Sequence, residues 1–263
     1  MNVLITGVAS GIGKACAEYF IQNNHSVYGI DIHDVDCDKI HFFQCDIVDE
    51  IAVKSVLSYF INHNIKLDAI INIAGIHMMA SLIESDFNKM KKVIDVNLTG
   101  TMLINKIFYE VLKEKGKIII VTSEVAAYDP MPFNGLYNVS KTALDCYAQA
   151  LRQELNLKGT KVITIRPGSI ETPLAEGSLT GTKELVGNTK LYEEESVHFF
   201  NLVTKFMGKP LKPEIIGKLI YKVTLKKHPK YIYTKHANIG LVLLNILPKR
   251  LQCFIIKMLL KRK

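Results

Sequence analysis

Apolar residues fall into two kinds of run that alternate along the chain. Short runs rich in Ile and Val occupy 2–6 (NVLIT), 26–31 (SVYGID), 40–45 (IHFFQC), 67–75 (LDAIINIAG), 117–123 (KIIIVTS) and 161–168 (KVITIRPG). They are nearly continuous, the pattern of strands covered on both faces. Between them lie longer stretches with helical spacing, at about 12–22, 49–62, 86–113 and 137–157. This alternation predicts an α/β fold: a Rossmann-type, doubly wound parallel sheet with right-handed crossovers. One unit is short. Asp31 and Ile40 are too close for a crossover helix between them, so HDVDCDK (33–39) reads as a tight loop.

Past Pro167 the pattern loosens. Residues 174–210 hold Gly177, Gly181, Gly187, Gly208 and the acidic run EEES, and read as an irregular lid over a substrate pocket. Regular spacing returns with a helix at 213–227 and a strand at 230–234. The segment 239–263 begins apolar, is interrupted by Pro248-Lys249-Arg250, and resumes with apolar residues at 251, 254, 255, 258 and 259. These form a helical stripe with Lys257 and Lys261 off it. Neither half reaches the roughly 20 residues that span a bilayer. Such a basic amphipathic segment can cover the substrate mouth, form a subunit interface or lie on a membrane surface.

Composition narrows the class. The 263 residues are 48% hydrophobic and 22% charged, enough for one core and one domain over 1–263. Net charge is +8, with the basic excess after Lys205. No basic patch is interleaved with aromatics, so no nucleic-acid partner is expected. The five cysteines are scattered without a CxxC, which predicts neither a disulfide framework nor a metal site. With no secretory pattern before the first strand, a reducing cytoplasmic compartment is expected.

TGVASGIGKA (6–15) follows the first strand and raises the question of whose phosphates it cradles. A mononucleotide P-loop would need Gly where Val8 stands and Ser or Thr where Ala15 stands. The spacing Gly7, Gly11, Gly13 suits a dinucleotide instead. The three glycines would supply the sharp turn, backbone approach to a pyrophosphate and close helix packing. Asp31 ends the second strand roughly 20 residues past the loop, where a carboxylate can accept from a ribose 2′-OH and repel a 2′-phosphate. NAD(H) is therefore the preferred cofactor. Lys14 leaves NADP(H) open.

YNVSK opens the helix after KIIIVTS, with Tyr137 and Lys141 four apart on one face. An ammonium beside a phenol favours the phenolate and moves its pKa of about 10 toward neutrality, so the pair can serve as acid and base. Ser123 ends a strand at the carboxyl edge, where it can donate to a substrate carbonyl. Asn97 sits inside a helical stretch, where Asn needs a partner for its amide and can hold a water linked to Lys141.

Taken in order, TGVASGIG, Asp31, CDI (45–47), NIAG (72–75), VNLTG (96–100), VTS (121–123), YNVSK (137–141) and RPGSIETP (166–173) resemble a short-chain dehydrogenase/reductase. The resemblance covers roughly residues 1–175. It implies Tyr137 as proton donor or acceptor, Lys141 lowering its pKa and binding the nicotinamide ribose, Ser123 polarising the carbonyl and Asn97 supporting a water relay. It further implies a cofactor lined by Gly7, Ser10, Gly11, Ile12 and Gly13 at the phosphates. Asp46 and Ile47 would meet the adenine, and Asn72, Ala74 and Gly75 the adenosine ribose. Pro167, Gly168, Ile170 and Thr172 would frame the carboxamide. No metal is implied.

Met78, Met79, Leu82, Met131, Phe133 and Leu136 suggest an apolar pocket mouth. The expected activity is NAD(H)-dependent interconversion of a secondary alcohol and a ketone on a steroid-, retinoid- or lipid-like substrate. The alternatives are an NADPH-dependent carbonyl or 3-ketoacyl reductase, and a non-catalytic dinucleotide sensor. A homo-oligomer is expected from the resemblance alone.

Overall fold

A computed structural model describes residues 1–206 and 209–261. Seven parallel strands form one sheet: β1 (Asn2–Thr6), β2 (Ser26–Asp31), β3 (Ile40–Gln44), β4 (Leu67–Asn72), β5 (Leu112–Val121), β6 (Lys161–Pro167) and β7 (Ile232–Lys235). Their order is β3-β2-β1-β4-β5-β6-β7. The winding reverses between β1 and β4, so a crevice opens there at the carboxyl ends.

Successive strand residues point to opposite faces, which explains the continuous apolar runs. Leu4, Ile70 and Ile118 enter one core with Phe60 of α2 (Glu50–Asn62) and Phe108 of α4 (Thr101–Phe108). Their neighbours Ile5, Ile71 and Ile119 enter the other, with Phe20 of α1 (Gly11–Gln22) and Ile216 of α8 (Pro213–Leu225). Residues 32–39 form no helix, as their number requires.

Three sequence expectations are corrected. The helix expected over 86–113 is α3 (Phe87–Ile94), a π-helical turn (Asp95–Gly100) and α4. Strand β5 starts at Leu112, five residues early, because its pairing with β4 shifts register between Leu67 and Ala69. Lys115, at φ 58°, lies within the shifted stretch. The lid is not irregular: it is largely α6 (Pro173–Asn188) and α7 (Glu193–Phe206). Three glycines make α6 a poor helix by propensity. A tertiary cluster of Phe133, Leu185, Phe199 and Leu260 holds it. Gly208, also in the expected lid, lies outside the described residues.

The last segment folds as α9 (Ile239–Ile246) and α10 (Lys249–Leu260), separated at Leu247-Pro248. Arg262 and Lys263 lie outside the described residues. Among those described, no helix is long and apolar enough to cross a membrane.

Candidate active site

The chain leaves β1 through Gly7, whose φ of +74° is left-handed and whose added Cβ would stand 2.8 Å from the Ala74 backbone. A Cβ at Gly13 would lie 1.8 Å from the Gly7 carbonyl oxygen. Helix α1 therefore starts against the strand end. Ser10 precedes it without a side-chain cap, which leaves first-turn N–H groups available to an anion. At the end of β2 the Asp31 carboxylate accepts from Ala9 N and His33 N, both at 3.0 Å.

These groups line one end of a cavity of about 1200 Å³ at the carboxyl ends of the strands. Gly7, Ser10, Gly11 and Ile12 line it beside Asp31, Asp46 and Ile47. Ala74 and Gly75 follow from β4. Ser123, Tyr137 and Lys141 stand further along, with Pro167, Gly168, Ile170 and Thr172. Lys14 is exposed and outside this lining.

Gly13, Asn72 and Asn97 do not line the cavity. Gly13 serves the packing of α1. Asn72 turns inward and donates to Asn105 Oδ1 at 2.8 Å, tying β4 to α4 instead of facing a ribose. Asn97 sits in the π-helical turn, a local irregularity that recurs at functional sites. Its Oδ1 accepts from Ile76 N at 2.8 Å, and its Nδ2 donates to Ile76 O and Ser140 Oγ, each at 2.9 Å. With both amide protons used, Oδ1 has one acceptor site left. A Cβ at Gly75 would meet Asn97 Oδ1 at 3.1 Å and Lys141 Nζ at 3.3 Å, so the two side chains converge over this glycine.

Helix α5 (Gly135–Asn156) carries Tyr137 and Lys141 one turn apart. Both are buried, and Lys141 Nζ lies 5.8 Å from the Tyr137 ring centre. Burial pushes the phenol up to about 12, opposed by a hydrogen bond with Ser123. Burial also brings the Lys141 ammonium down to about 8. The sequence argument expected the lysine to lower the tyrosine. In this protein, loss of hydration moves both groups away from their charged forms. Lys141 still carries its proton at neutral pH and donates to Val121 O at 3.4 Å. Ser123 Oγ accepts from Val125 N at 3.4 Å, capping the short turn Glu124–Ala127.

Two residues that the sequence argument missed belong to the site. His77 lies with its ring centre 4.2 Å from that of Tyr137. Burial holds its pKa down to about 4, so the imidazole is neutral. The Asn134 side chain beside it opposes that shift, and no hydrogen bond of standard geometry reaches the buried Nδ1 of His77 among the described residues. Its position two residues past Gly75 was the available signal. Glu124, next to Ser123, accepts from Asn238 N at 2.5 Å and joins the catalytic edge to α9. Sequence carried no signal for that contact.

The far wall is aliphatic and aromatic: Met79, Met131, Phe199, Leu241, Leu244 and Ile255. Of the residues expected at the mouth, Met79 and Met131 line this wall. Met78 lines a neighbouring cavity, Phe133 packs behind α6, and Leu82 is half exposed.

A family model described as short chain dehydrogenase matches residues 1–182. The chain belongs to that family. It is 25% identical over 232 residues to a 3-ketodihydrosphingosine reductase of Bacteroides thetaiotaomicron, covering 87% of this chain and 85% of the relative. It is 34% identical over 201 residues to an NADPH-dependent 1-acyldihydroxyacetone phosphate reductase of Schizosaccharomyces pombe, covering 72% and 67%. A short chain dehydrogenase family protein from Francisella tularensis superposes with a TM-score of 0.74 at 25% identity, covering 89% of this chain and 96% of that one. This short chain dehydrogenase is an NAD(P)-dependent oxidoreductase acting on CH–OH groups. The chain's own geometry fits such a cofactor: a Cβ-free turn, uncapped helix donors and a carboxylate at the end of β2 share one cavity.

Proposed function

We propose that this protein interconverts a lipid-like secondary alcohol and its ketone with NAD(H). The observation that carries this reading is one cavity with Tyr137, Lys141 and Ser123 at its polar floor and an aliphatic far wall. A bound nicotinamide dinucleotide supplies or accepts the hydride. Tyr137 Oη gives its proton to the carbonyl oxygen during reduction and takes it back during oxidation. The Lys141 ammonium lowers the cost of the phenolate formed in that step, and Ser123 Oγ holds the carbonyl oxygen in reach. The neutral His77 imidazole offers a further polar contact beside Tyr137. Asp31 favours a free ribose 2′-OH over a 2′-phosphate. The substrates named for the two relatives, 3-ketodihydrosphingosine and 1-acyldihydroxyacetone phosphate, support a lipid-like ketone.

A screen of long-chain and short-chain ketones with both reduced cofactors tests the reading. Turnover should be highest with a long-chain ketone and NADH. Tyr137→Phe should lower kcat by about 10² to 10⁴ while dinucleotide binding stays near wild type. Retained turnover in that variant would remove Tyr137 from the proton step. The second reading is an NADPH-dependent reductase, favoured by the cofactor named for the fission-yeast relative. A homo-oligomer remains the proposed assembly, to be read by sedimentation equilibrium.

A further inference from the structure

Helix α10 is amphipathic in sequence, yet part of its apolar stripe faces outward, while Ile255 and Leu259 line the cavity. Gln252 and Leu260 are its buried residues. Gln252 Nε2 donates to Leu247 O at 2.8 Å, and Leu260 packs with Phe133 and Phe199. Leu251, Phe254 and Met258 are left 42%, 58% and 55% exposed. Helix α9 buries no residue, and its Ile239, Leu243 and Ile246 are exposed by 74%, 60% and 74%. Large apolar side chains clustered like this mark an interaction surface.

The segment is anchored, not loose. Glu124 holds Asn238 N, and Asn245 Oδ1 accepts from Asp129 N at 2.7 Å. His198 bonds Leu260 O at 2.8 Å. The same two helices supply Leu241, Leu244 and Ile255 to the cavity above Tyr137. The exposed surface is therefore the rim of the substrate cavity.

Its charge identifies the occupant. No Asp or Glu follows Glu214 in the chain. Lys249 and Lys261 pair with Asp129 and Glu195, whereas Arg250 and Lys257 are exposed without an ion pair among the described residues. A second copy docked by a two-fold axis would set this basic face against itself. An anionic bilayer offers both an apolar interior and negative headgroups. We infer that α9 and α10 dock on an anionic membrane surface, with the cavity mouth against the lipid. Docking rests on this surface alone. Entry of substrate from the bilayer rests also on the lipid-like reading above.

Sedimentation of the full chain with vesicles tests the inference. One set is phosphatidylcholine, and the other is an equal mixture with phosphatidylglycerol. Binding is expected to the mixed vesicles and to be weak on the neutral ones. Arg250→Glu/Lys257→Glu and Phe254→Ser/Met258→Ser should each lower partitioning about tenfold or more. None of these four residues lines the cavity, so unchanged melting and unchanged turnover of a short-chain ketone control for folding. Equal binding to both vesicle types, or full binding by the charge-reversed variant, overturns the inference. So does a wild-type dimer that Phe254→Ser/Met258→Ser splits without any vesicle binding. If the protein docks but leaves a vesicle-borne long-chain ketone unreduced, the docking stands and the lipid-substrate reading falls.

Discussion

At the scale of single residues, the site is built around two groups held where water is scarce. Lys141 is charged at neutral pH but brought down to about 8 from an ordinary 10.5 by burial. The unfolded chain binds more protons than the folded one between those values, so this group's effect on stability improves as pH rises through them. Below pH 8 the penalty is present in full, at about 3 kcal/mol. Lys141→Met should therefore raise the melting temperature of the cofactor-free protein at pH 7 while abolishing turnover. The stability gain over wild type should shrink toward pH 10.5. A variant that melts lower at pH 7 would contradict the desolvation argument. The sequence showed the pairing of Tyr137 with Lys141, because four residues make one helical turn. It did not show that burial raises the phenol, since burial depth is not a property of spacing. Asn72 illustrates the same limit: its family-like position was legible, but its partner Asn105 lies on another element.

Among the elements, glycines that share a helical setting do different work. Gly13 and Gly177 both sit in helices. At Gly13 a Cβ would collide with the Gly7 carbonyl, whereas Gly177 has nothing within 4 Å. Gly13→Ala should destabilise the protein by several kcal/mol or prevent folding, since backbone must move. Gly177→Ala should stabilise it by about 0.5–1 kcal/mol through helix propensity. Chemical denaturation of both variants reads the two signs. Helix α6 escaped the sequence reading because its glycines lower propensity and its support comes from Phe199 and Leu260, outside the helix. The π-helical turn escaped for a related reason. It is stabilised by Asn97 gripping Ile76, a contact made across 21 positions of chain. Strands β1, β4 and β6 were legible because both of their faces are buried, so nearly every position is apolar.

For the whole molecule, cofactor binding couples to stability. A ligand that binds only the folded state at about 100 times its Kd stabilises by about 2.7 kcal/mol. NADH at a fixed excess should therefore raise the melting temperature by several degrees. NADPH at the same concentration should raise it less, because its 2′-phosphate meets the Asp31 carboxylate. The reverse order would favour the NADPH reading, and Asp31→Ser should shift the balance toward NADPH, narrowing an NADH advantage.

The sequence by itself determined the sheet architecture and the order of the chemical groups along it. Strand and helix periodicity, glycine spacing and a one-turn Tyr–Lys pair are local, and local patterns survive in one dimension. The tertiary structure decided which of those groups share a cavity, and it added His77 and Glu124. It also turned Leu251, Phe254 and Met258 of α10 outward. A hydrophobic period shows that a helix has two faces, but not which one meets protein. Here Gln252 and Leu260 find their partners on the body of the molecule. Phe254 and Met258 are left for whatever lies beyond it.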